Sequence, residues 1–465
     1  MNTLNRDILR LALPSILANL TVPLVGMVDT AVAGHLPGTE GTGAATFIGA
    51  ISVGALLFNL IYWNFGFLRT GTGGLTAQAF GRGDAHSCAR IFARSMVLSA
   101  IVAVFTLALQ WPFLKLSLLC VQASPEVESL AAQYFGIRIW AAPATLSLMA
   151  FSGWFVGMQD SVSSMWKDLV VNAVNIVASL VLSLGIGDWE GLGFKGVAWG
   201  TLIAQYCGLL FCIGVCFVKY RKVLSTFSRS ELSGLLRGPE IKGFFKMNLD
   251  LLGRSACFIL IYIGYTMIAA RYGDTILACS SIMMQLLMLF SYFTDGFAYA
   301  GEALTGRFIG AADLSSTRRS VKYIFIWSMS IAVLFIGVYM AAGVPILRVL
   351  TSDEGVVRVC RSFLPWLVLM PPLGCAAFTW DGIYLGATAS RPIFISMLGA
   401  AAAFLAVWFA LEKIFGPSGE TALHMLLAAY FAHLGFRTVY LSVKYRRHIT
   451  EIPFKDNEEK KTVIS

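Results

Sequence analysis

The sequence predicts an all-α polytopic membrane protein, with twelve transmembrane helices in two six-helix bundles related by pseudo-two-fold symmetry. Three observations predict this class: the composition, the number of long apolar segments and a weak internal repeat. Of the 465 residues, 57% are hydrophobic and 13% are charged, and the mean hydropathy is +0.72. Soluble domains carry roughly 45–50% apolar and about 25% charged residues, so we expect the chain to lie in a membrane.

Twelve segments are long and apolar enough to span a bilayer. A spanning helix needs about 20 predominantly apolar residues, and a helix satisfies its own backbone hydrogen bonds in lipid. A β-barrel would instead show short alternating strands. The first segment is expected to remain as a helix, because no small-residue cleavage site follows a short apolar core. The predicted helices cover 8–35, 43–79, 86–113, 124–158, 162–187, 194–219, 239–271, 275–308, 318–345, 355–388, 390–415 and 419–444.

The charged residues predict the orientation of the chain. Lysine and arginine gather in alternate loops, whereas the short loops between them carry acidic residues, which is the positive-inside pattern. We therefore expect both termini in the cytoplasm, and a bacterial cytoplasmic (inner) membrane as the location. The net charge of +9 then reflects membrane topology, and no nucleic-acid partner is expected.

The cysteines predict neither disulfides nor a metal site. The nine cysteines lie mostly within apolar segments, without the CxxC spacing of metal ligands, and a buried cysteine behaves as a small hydrophobe. We expect no metal and no cofactor.

The chain divides near its middle, where its longest polar interruption runs from Lys219 to Lys242. We predict an N-terminal lobe (1–218), a cytoplasmic linker (219–240), a C-terminal lobe (241–445) and a cytoplasmic tail (446–465). "TAVAGHLPG" (30–38) aligns with "TMIAARYGD" (266–274), 236 positions apart. "AQAFGRGD" (77–84) aligns with "GRFIGAAD" (306–313), and "PATLSLMAFSGWFVGMQDS" (143–161) with "PLGCAAFTWDGIYLGATAS" (372–390), both 229 positions apart. Six helices per repeat keep both halves in one orientation, as in transporters that bind substrate between parallel repeats. Chance alignment of glycine-rich helices is the alternative.

Asp29 is the leading functional candidate. It lies in "MVDTAVAGHL" (27–36), inside the first predicted helix, and a charge at the bilayer centre costs at least about 2.5–3.5 kcal/mol. A carboxyl held there can bind and release a proton; a satisfied structural carboxylate near the outer interface is the alternative. Pro14 and Pro23 precede Asp29, and proline kinks a helix. Protonation of Asp29 could therefore couple to bending of the first helix. The alternative is that the kinks at the two prolines are static.

Four polar residues of the fifth helix share one face, because they are spaced i, i+3, i+7 and i+11. They are Asn172, Asn175, Ser179 and Ser183. They either complete a polar cavity around Asp29 or join neighbouring helices. Tyr134 of the fourth helix is a further candidate for the same cavity.

The second half contains its own intramembrane charges. Lys246, Asp250 and Arg254 repeat every four residues, so they form either an ion-paired stripe or part of a gate. At least one nearby carboxylate should pair with Arg254, since unpaired burial of charge is costly. The other acidic candidates are Asp295, Glu302 and Asp381.

Several motifs resemble those of a known family. "VDTAVAGHL" resembles the first-helix signature of the multidrug and toxic compound extrusion (MATE) family. "NLDLLGRS" (248–255), "DGFAYAGEALTGRFIGAAD" (295–313) and "WDGIYLGATASRP" (380–392) resemble its DinF-type (DNA-damage-inducible) branch. The resemblance implies a twelve-helix, two-lobed antiporter that exports cationic or amphipathic compounds against inward H+ or Na+.

The resemblance also implies roles for particular residues. Asp29 matches the carboxylate of the first-lobe cation site, Asn175 matches an asparagine of that site, and Pro14 matches the bending point of the first helix. Where many relatives carry a second aspartate, this chain has Ser179. Asp381 resembles an aspartate implicated in second-lobe cation binding in another branch, but the seventh-helix glutamate of that branch has no counterpart here.

These observations favour a secondary active exporter rather than an enzyme. The chain has no GxxxxGK[ST] loop for an ATP-driven pump and no recognisable nucleophile with a base. The single carboxylate favours H+ as the coupling ion over Na+. The alternatives are a flippase for lipid-linked or amphipathic head groups, and a membrane receptor or scaffold without flux. The expected partners are small cationic or amphipathic molecules and the lipid bilayer, with the chain as a monomer.

Overall fold

The computed structural model describes residues 3–36, 43–120, 123–235, 240–351, 353–416 and 418–454. These residues are 90% helical, contain no strand, and include twelve helices long and apolar enough to cross a membrane. The helices are α1 (Thr3–Gly34), α2 (Ala44–Gly81), α3 (Ala85–Ala108), α4 (Pro125–Gly157), α5 (Ser161–Leu184), α6 (Phe194–Lys219), α7 (Ile241–Ala270), α8 (Asp274–Gly310), α9 (Leu314–Leu350), α10 (Glu354–Gly386), α11 (Ser390–Phe415) and α12 (Glu420–Phe454). The fold class and the helix count predicted from the sequence are confirmed.

Most helix ends lie within a few residues of the predicted bounds, and α1 and α9 begin or end up to five residues beyond them; two differences are larger or change the number of helices. A separate short helix, Gln110–Cys120, follows α3, where the sequence predicted one segment to residue 113. The last helix continues through a π-helical stretch, Arg446–Glu451, into the segment predicted as a tail. Residues 455–465 of that tail and 236–239 of the predicted linker lie outside the described residues.

The chain forms two compact units. We call Leu17–Thr76 with Asp84–Ile241 the N unit, and Met1–Ile16 with Ala77–Gly83 and Lys242–Ser465 the C unit. The first part of α1 and the end of α2 therefore group with the second half of the chain. Helix α1 is continuous through Pro14 and Pro23.

Each unit has its own apolar core. In the N unit, buried aromatic residues from α2 and α4, including Phe58 and Phe135, pack with apolar residues of α1 and α6. In the C unit, one large cluster of buried residues joins α7 to α12 and includes Phe290, Phe363 and Trp408. Charged side chains inside such cores are costly unless they are paired, so those that occur there are functional candidates.

Close contacts explain why the ends of α1 and α2 belong to the C unit. A Cβ atom at Gly81 would lie 2.0 Å from the carbonyl oxygen of Arg307, and one at Gly310 would lie 2.1 Å from that of Gln78. Only glycine allows helices to approach so closely. The Gln78 amide also donates to the carbonyl oxygen of Gly386 at 3.0 Å.

The internal repeat is reproduced in the backbone. Gly83 and Ala312 have φ of 72° and 56°, and Gln159 and Thr388 have φ of 62° and 56°. Each pair is separated by the same 229 positions that align the two sequence halves. Non-glycine residues rarely adopt positive φ, so chance does not explain its recurrence at aligned positions.

The helix caps that follow these turns repeat as well. The Asp84 carboxylate accepts a hydrogen bond from the backbone N–H of Ser87, and the Asp313 carboxylate accepts one from that of Ser316, each at 2.9 Å. Aspartate caps a helix by accepting from the otherwise unbonded N–H groups of the first turn. Two aligned turns therefore start α3 and α9 in the same way.

Candidate functional site

Asp29 lies in the N unit with its carboxyl group almost fully buried. Its side chain is on α1, and the residue is 5% exposed. The carboxyl group interacts electrostatically with Arg138 of α4 and with the hydroxyl group of Ser179 on α5. Its Oδ1 atom has no hydrogen-bond partner among the described residues. A buried acceptor without a partner calls for an explanation such as a bound water or ion.

Three of the polar residues predicted on one face of α5 are buried together. Asn175, Ser179 and Ser183 are buried, and the Asn175 amide donates to the hydroxyl group of Thr201 on α6 at 2.9 Å. The remaining oxygen atom of Asn175 and the Ser183 hydroxyl have no partner among the described residues, and the Ser179 hydroxyl interacts with the Asp29 carboxyl group. The i, i+4, i+8 spacing of these three residues thus places a row of oxygen atoms with unused hydrogen-bonding capacity on this face.

Close packing of α6 fixes the position of Ser179. A Cβ atom at Gly200 would lie 2.5 Å from the Ser179 hydroxyl and 2.6 Å from its backbone nitrogen. The two helices therefore meet at a glycine, and the serine side chain is held against α6. The hydroxyl group keeps its place beside Asp29 because its backbone has little room to shift.

Asn172, the fourth polar residue of this face, joins α5 to α1. It is half-buried, and its amide donates to the hydroxyl group of Thr21. Thr21 lies two residues before Pro23 and in turn donates to the carbonyl oxygen of Ala18. This contact with α5 therefore lies on α1 between the two predicted bending residues, Pro14 and Pro23.

Arg138 belongs to this cluster, although the sequence analysis did not select it. It donates to the Tyr134 hydroxyl at 2.7 Å, and its guanidinium carbon lies 4.6 Å from the centre of the Phe58 ring. Tyr134 is 1% exposed. The sequence signal was an arginine in an apolar segment, one helical turn after Tyr134 and therefore on the same face.

The carboxyl group of Asp29 suits a proton better than a metal ion. Among the described residues, no group of three or more His, Cys, Asp or Glu side chains is arranged to hold a metal ion. A carboxylate can take up a proton on a single oxygen atom. The neighbouring Ser179 hydroxyl can then donate to the ionised carboxylate or accept from the protonated one.

The C unit contains a second cluster of charges, formed by three helices. Arg254 of α7 and Arg437 of α12 each donate to Oδ2 of Asp381 on α10, both at 2.6 Å. Arg254 was expected to need a carboxylate partner, and that partner is Asp381. Arg437 was not selected from the sequence.

The other predicted residues of the C unit are dispersed. Asp250 does not pair along its own helix; it accepts from the hydroxyl of Ser390 at 3.0 Å and from Arg391 at 3.1 Å. Lys246 is exposed. The charge pairs of α7 therefore run to other helices rather than along α7.

The two acidic candidates of α8, Asp295 and Glu302, lie in different surroundings. Asp295 is half-buried and accepts from the Ser291 hydroxyl at 3.4 Å. Glu302 is fully buried at the close contact of α8 with α10, where its carbonyl oxygen would lie 2.3 Å from a Cβ atom at Gly386.

Twelve spanning helices, a repeat between chain halves and buried charges within each unit define a polytopic membrane transporter. Comparison with known proteins identifies its family. The MatE family model matches residues 14–181 and 251–416, and the chain belongs to that family of multidrug and toxin extrusion transporters.

Similar proteins agree with this assignment. The chain is 33% identical over 438 residues to "DNA damage-inducible protein F" of Escherichia coli (strain K12), which covers 94% of this chain and 91% of that protein. It is 25% identical over 344 residues to "Probable multidrug resistance protein NorM" of Rhizobium meliloti (strain 1021), covering 72% and 68%. The family and the DNA-damage-inducible branch predicted from the motifs are confirmed.

A solved structure shows the same fold. The structure described as "Crystal structure of MATE in the bent conformation" matches with a TM-score of 0.81 at 17% identity, covering 99% of this chain and 97% of that one. At this identity the likeness concerns the fold alone.

Proposed function

We propose that the chain is a proton-coupled antiporter that exports cationic or amphipathic organic compounds by alternating access. The observation that supports this proposal is Asp29, a buried carboxylate with an unpartnered oxygen among polar side chains of α5. A proton from outside binds Asp29 and neutralises it, which favours one packing of α1, and the substrate leaves. Deprotonation on the inner side resets the cycle. Coupling requires that proton and substrate bind the two states with different affinities.

The charges around Asp29 favour H+ over Na+. The Arg138 guanidinium already supplies positive charge to this carboxylate, and a further metal cation would be repelled by it. A proton forms a bond to one oxygen and needs no set of ligands. The second aspartate found in many relatives is here Ser179, which lowers the negative charge available to a metal ion. The unpartnered oxygen of Asn175 and the Ser179 hydroxyl beside Asp29 are the groups that a sodium ion would use, so Na+ is the second candidate.

We also propose that the chain lies in a bacterial cytoplasmic membrane with both termini inside, and that it acts as a monomer. The alternation of basic and acidic loops supports this orientation. An even number of spanning helices is consistent with both termini on one side.

The coupling ion is tested by efflux of a fluorescent cation, such as ethidium, from proteoliposomes with each ion gradient collapsed in turn. We expect a protonophore to abolish gradient-driven transport and a sodium ionophore to leave it unchanged. Loss of transport with the sodium ionophore alone would assign Na+ instead. Absence of flux with either gradient would contradict the antiporter and favour a receptor or scaffold.

A further inference from the structure

The C-unit cluster carries more positive than negative charge. Arg254, Asp381 and Arg437 contribute two positive charges and one negative charge, and both guanidinium groups bind the same carboxylate oxygen. Asp250, a carboxylate on α7, is already occupied by Arg391 and Ser390. The three residues therefore form a cationic cluster within the helix bundle.

The hydrogen-bonding capacity of this cluster is not used up. A guanidinium has five N–H donors. The Nε groups of Arg254 and Arg437, and Oδ1 of Asp381, are buried without a partner among the described residues. A buried charge is costly unless it is paired and hydrogen-bonded, so the cluster favours a further group that brings negative charge and accepts hydrogen bonds.

This arrangement differs from a cation site. The family resemblance implies that Asp381 could bind a cation in the second lobe. Here two guanidinium groups lie within 2.6 Å of its Oδ2, where they neutralise the carboxylate and repel a metal ion. Arginine is instead the preferred partner of carboxylate and phosphate, because its planar fork matches their oxygen atoms.

The surroundings of the cluster suit an amphipathic ligand. The Arg437 side chain is 2% exposed, whereas that of Arg254 is 24% exposed, so Arg254 gives access to the cluster. The ring of Phe378 lies 5.8 Å from the guanidinium carbon of Arg437. A charged oxygen group at the arginines would thus have an aromatic surface beside it.

We propose that Arg254, Asp381 and Arg437 form a binding site for the oxyanion group of an amphipathic molecule, such as a carboxylate, sulfate or phosphate. This inference rests on the proposed export function and adds to its substrates amphipathic compounds that carry an anionic oxygen group, alone or beside a cation. Asp381 holds the two guanidinium groups in place until the ligand binds.

Binding to the purified full-length chain in detergent, without any ion gradient, tests this site. The probes are a dansyl-labelled fatty acid and its primary amide, which differ only in the charged group. We expect the acid to bind at least tenfold more tightly than the amide, and Arg254→Gln to abolish that preference. Asp381→Asn should strengthen binding of the acid, because it removes the internal competitor for the arginines; a merely structural carboxylate would not have this effect.

The controls separate this proposal from the proposed function. Asp29→Asn should keep the wild-type preference for the acid over the amide, even if it transports nothing, because the oxyanion is recognised by the arginines of the C unit and a shift between transport states changes both affinities alike. If Arg254→Gln does not fold, Arg254→Lys keeps the charge without the planar fork and should show a reduced preference for the acid. Equal binding of acid and amide by the wild-type chain, or an unchanged preference in the Arg254 variants, would overturn the site.

Competition identifies the source of the oxyanion. Displacement of the acid probe by octanoate but not by phosphatidylglycerol would assign the site to an exported solute. Displacement by phosphatidylglycerol would support the oxyanion site with a lipid headgroup as its ligand. Displacement by neither would overturn the proposal.

Discussion

Asp160 shows how a single carboxylate organises the turn between α4 and α5. It caps α5 by accepting from the backbone N–H of Ser163 at 3.2 Å. It also accepts from Lys219 at 2.7 Å and from the Tyr220 hydroxyl at 2.6 Å, both at the end of α6. Burial disfavours its charged form, but the hydrogen bonds from Lys219, Ser163 and Tyr220 outweigh burial and hold the pKa of Asp160 below its ordinary value.

A lowered pKa predicts that the contribution of Asp160 to stability depends on pH. The contribution is fully present above the ordinary pKa near 4 and is lost as the pH falls through the lower pKa of the folded state. At pH 7 we expect Asp160→Asn to lower the free energy of unfolding by about 1–3 kcal/mol, since it weakens charged hydrogen bonds. The difference between variant and wild type should shrink below pH 4.

Thermal unfolding in detergent, followed from pH 7 to pH 3, measures this effect. Asp188→Asn, in an exposed loop, is the matched control and should unfold like wild type. An Asp160→Asn midpoint equal to that of wild type at pH 7 would show that these hydrogen bonds do not stabilise the folded chain.

The sequence predicted the residues of the candidate sites better than their partners. Asp29 and the polar face of α5 follow from hydropathy and helical spacing, which are local properties. Arg437 was missed because its partner Asp381 on α10 is remote in sequence, and the charge interaction of Arg138 with Asp29 on α1 is remote as well, although its hydrogen bond to Tyr134 is local. For the same reason the choice of Asp381 as the partner of Arg254 could not be made among several carboxylates.

At the scale of elements, the two aligned turns are expected to differ in backbone strain. Gly83 and Ala312 occupy equivalent turns with positive φ, but only glycine adopts that conformation without a steric penalty. An alanine there costs about 1 kcal/mol. An added Cβ at Gly83 would meet nothing within 4 Å, so the backbone conformation alone decides the effect of substitution.

We therefore expect opposite effects from two reciprocal substitutions. Ala312→Gly should raise the free energy of unfolding by about 1 kcal/mol, and Gly83→Ala should lower it by a similar amount. The thermal midpoints of the two purified variants, compared with wild type, provide the measurement. A lower midpoint for Ala312→Gly would contradict the assignment of strain to this turn.

The break after α3 was less predictable than the turns. Residues 86–113 form one mostly apolar run, so hydropathy alone does not mark the interruption at Leu109 that separates α3 from the helix Gln110–Cys120. The turns contain glycine and aspartate, which have specific backbone and capping preferences, and these were visible as aligned motifs.

At the scale of the whole molecule, the number of helices and their repeat could be predicted, but the membership of the two units could not. Helix count follows from the length and polarity of each segment. The grouping of residues 3–16 with the C unit depends on tertiary contacts: a Cβ atom at Gly296 would lie 2.8 Å from the carbonyl oxygen of Ala12, and Trp327 donates to Asn5 at 3.3 Å. Such contacts leave no periodic signal in the sequence.

The central claim is that Asp29 exchanges the proton that drives export. Its most direct test is proton movement in proteoliposomes on addition of substrate, compared between wild type, Asp29→Asn and Asp7→Asn. Asp7 lies on the same helix with its side chain 41% exposed, so its variant controls for loss of a carboxylate from α1. We predict that Asp29→Asn lowers substrate-driven proton movement at least tenfold while Asp7→Asn leaves it unchanged; wild-type proton movement in Asp29→Asn would contradict the mechanism.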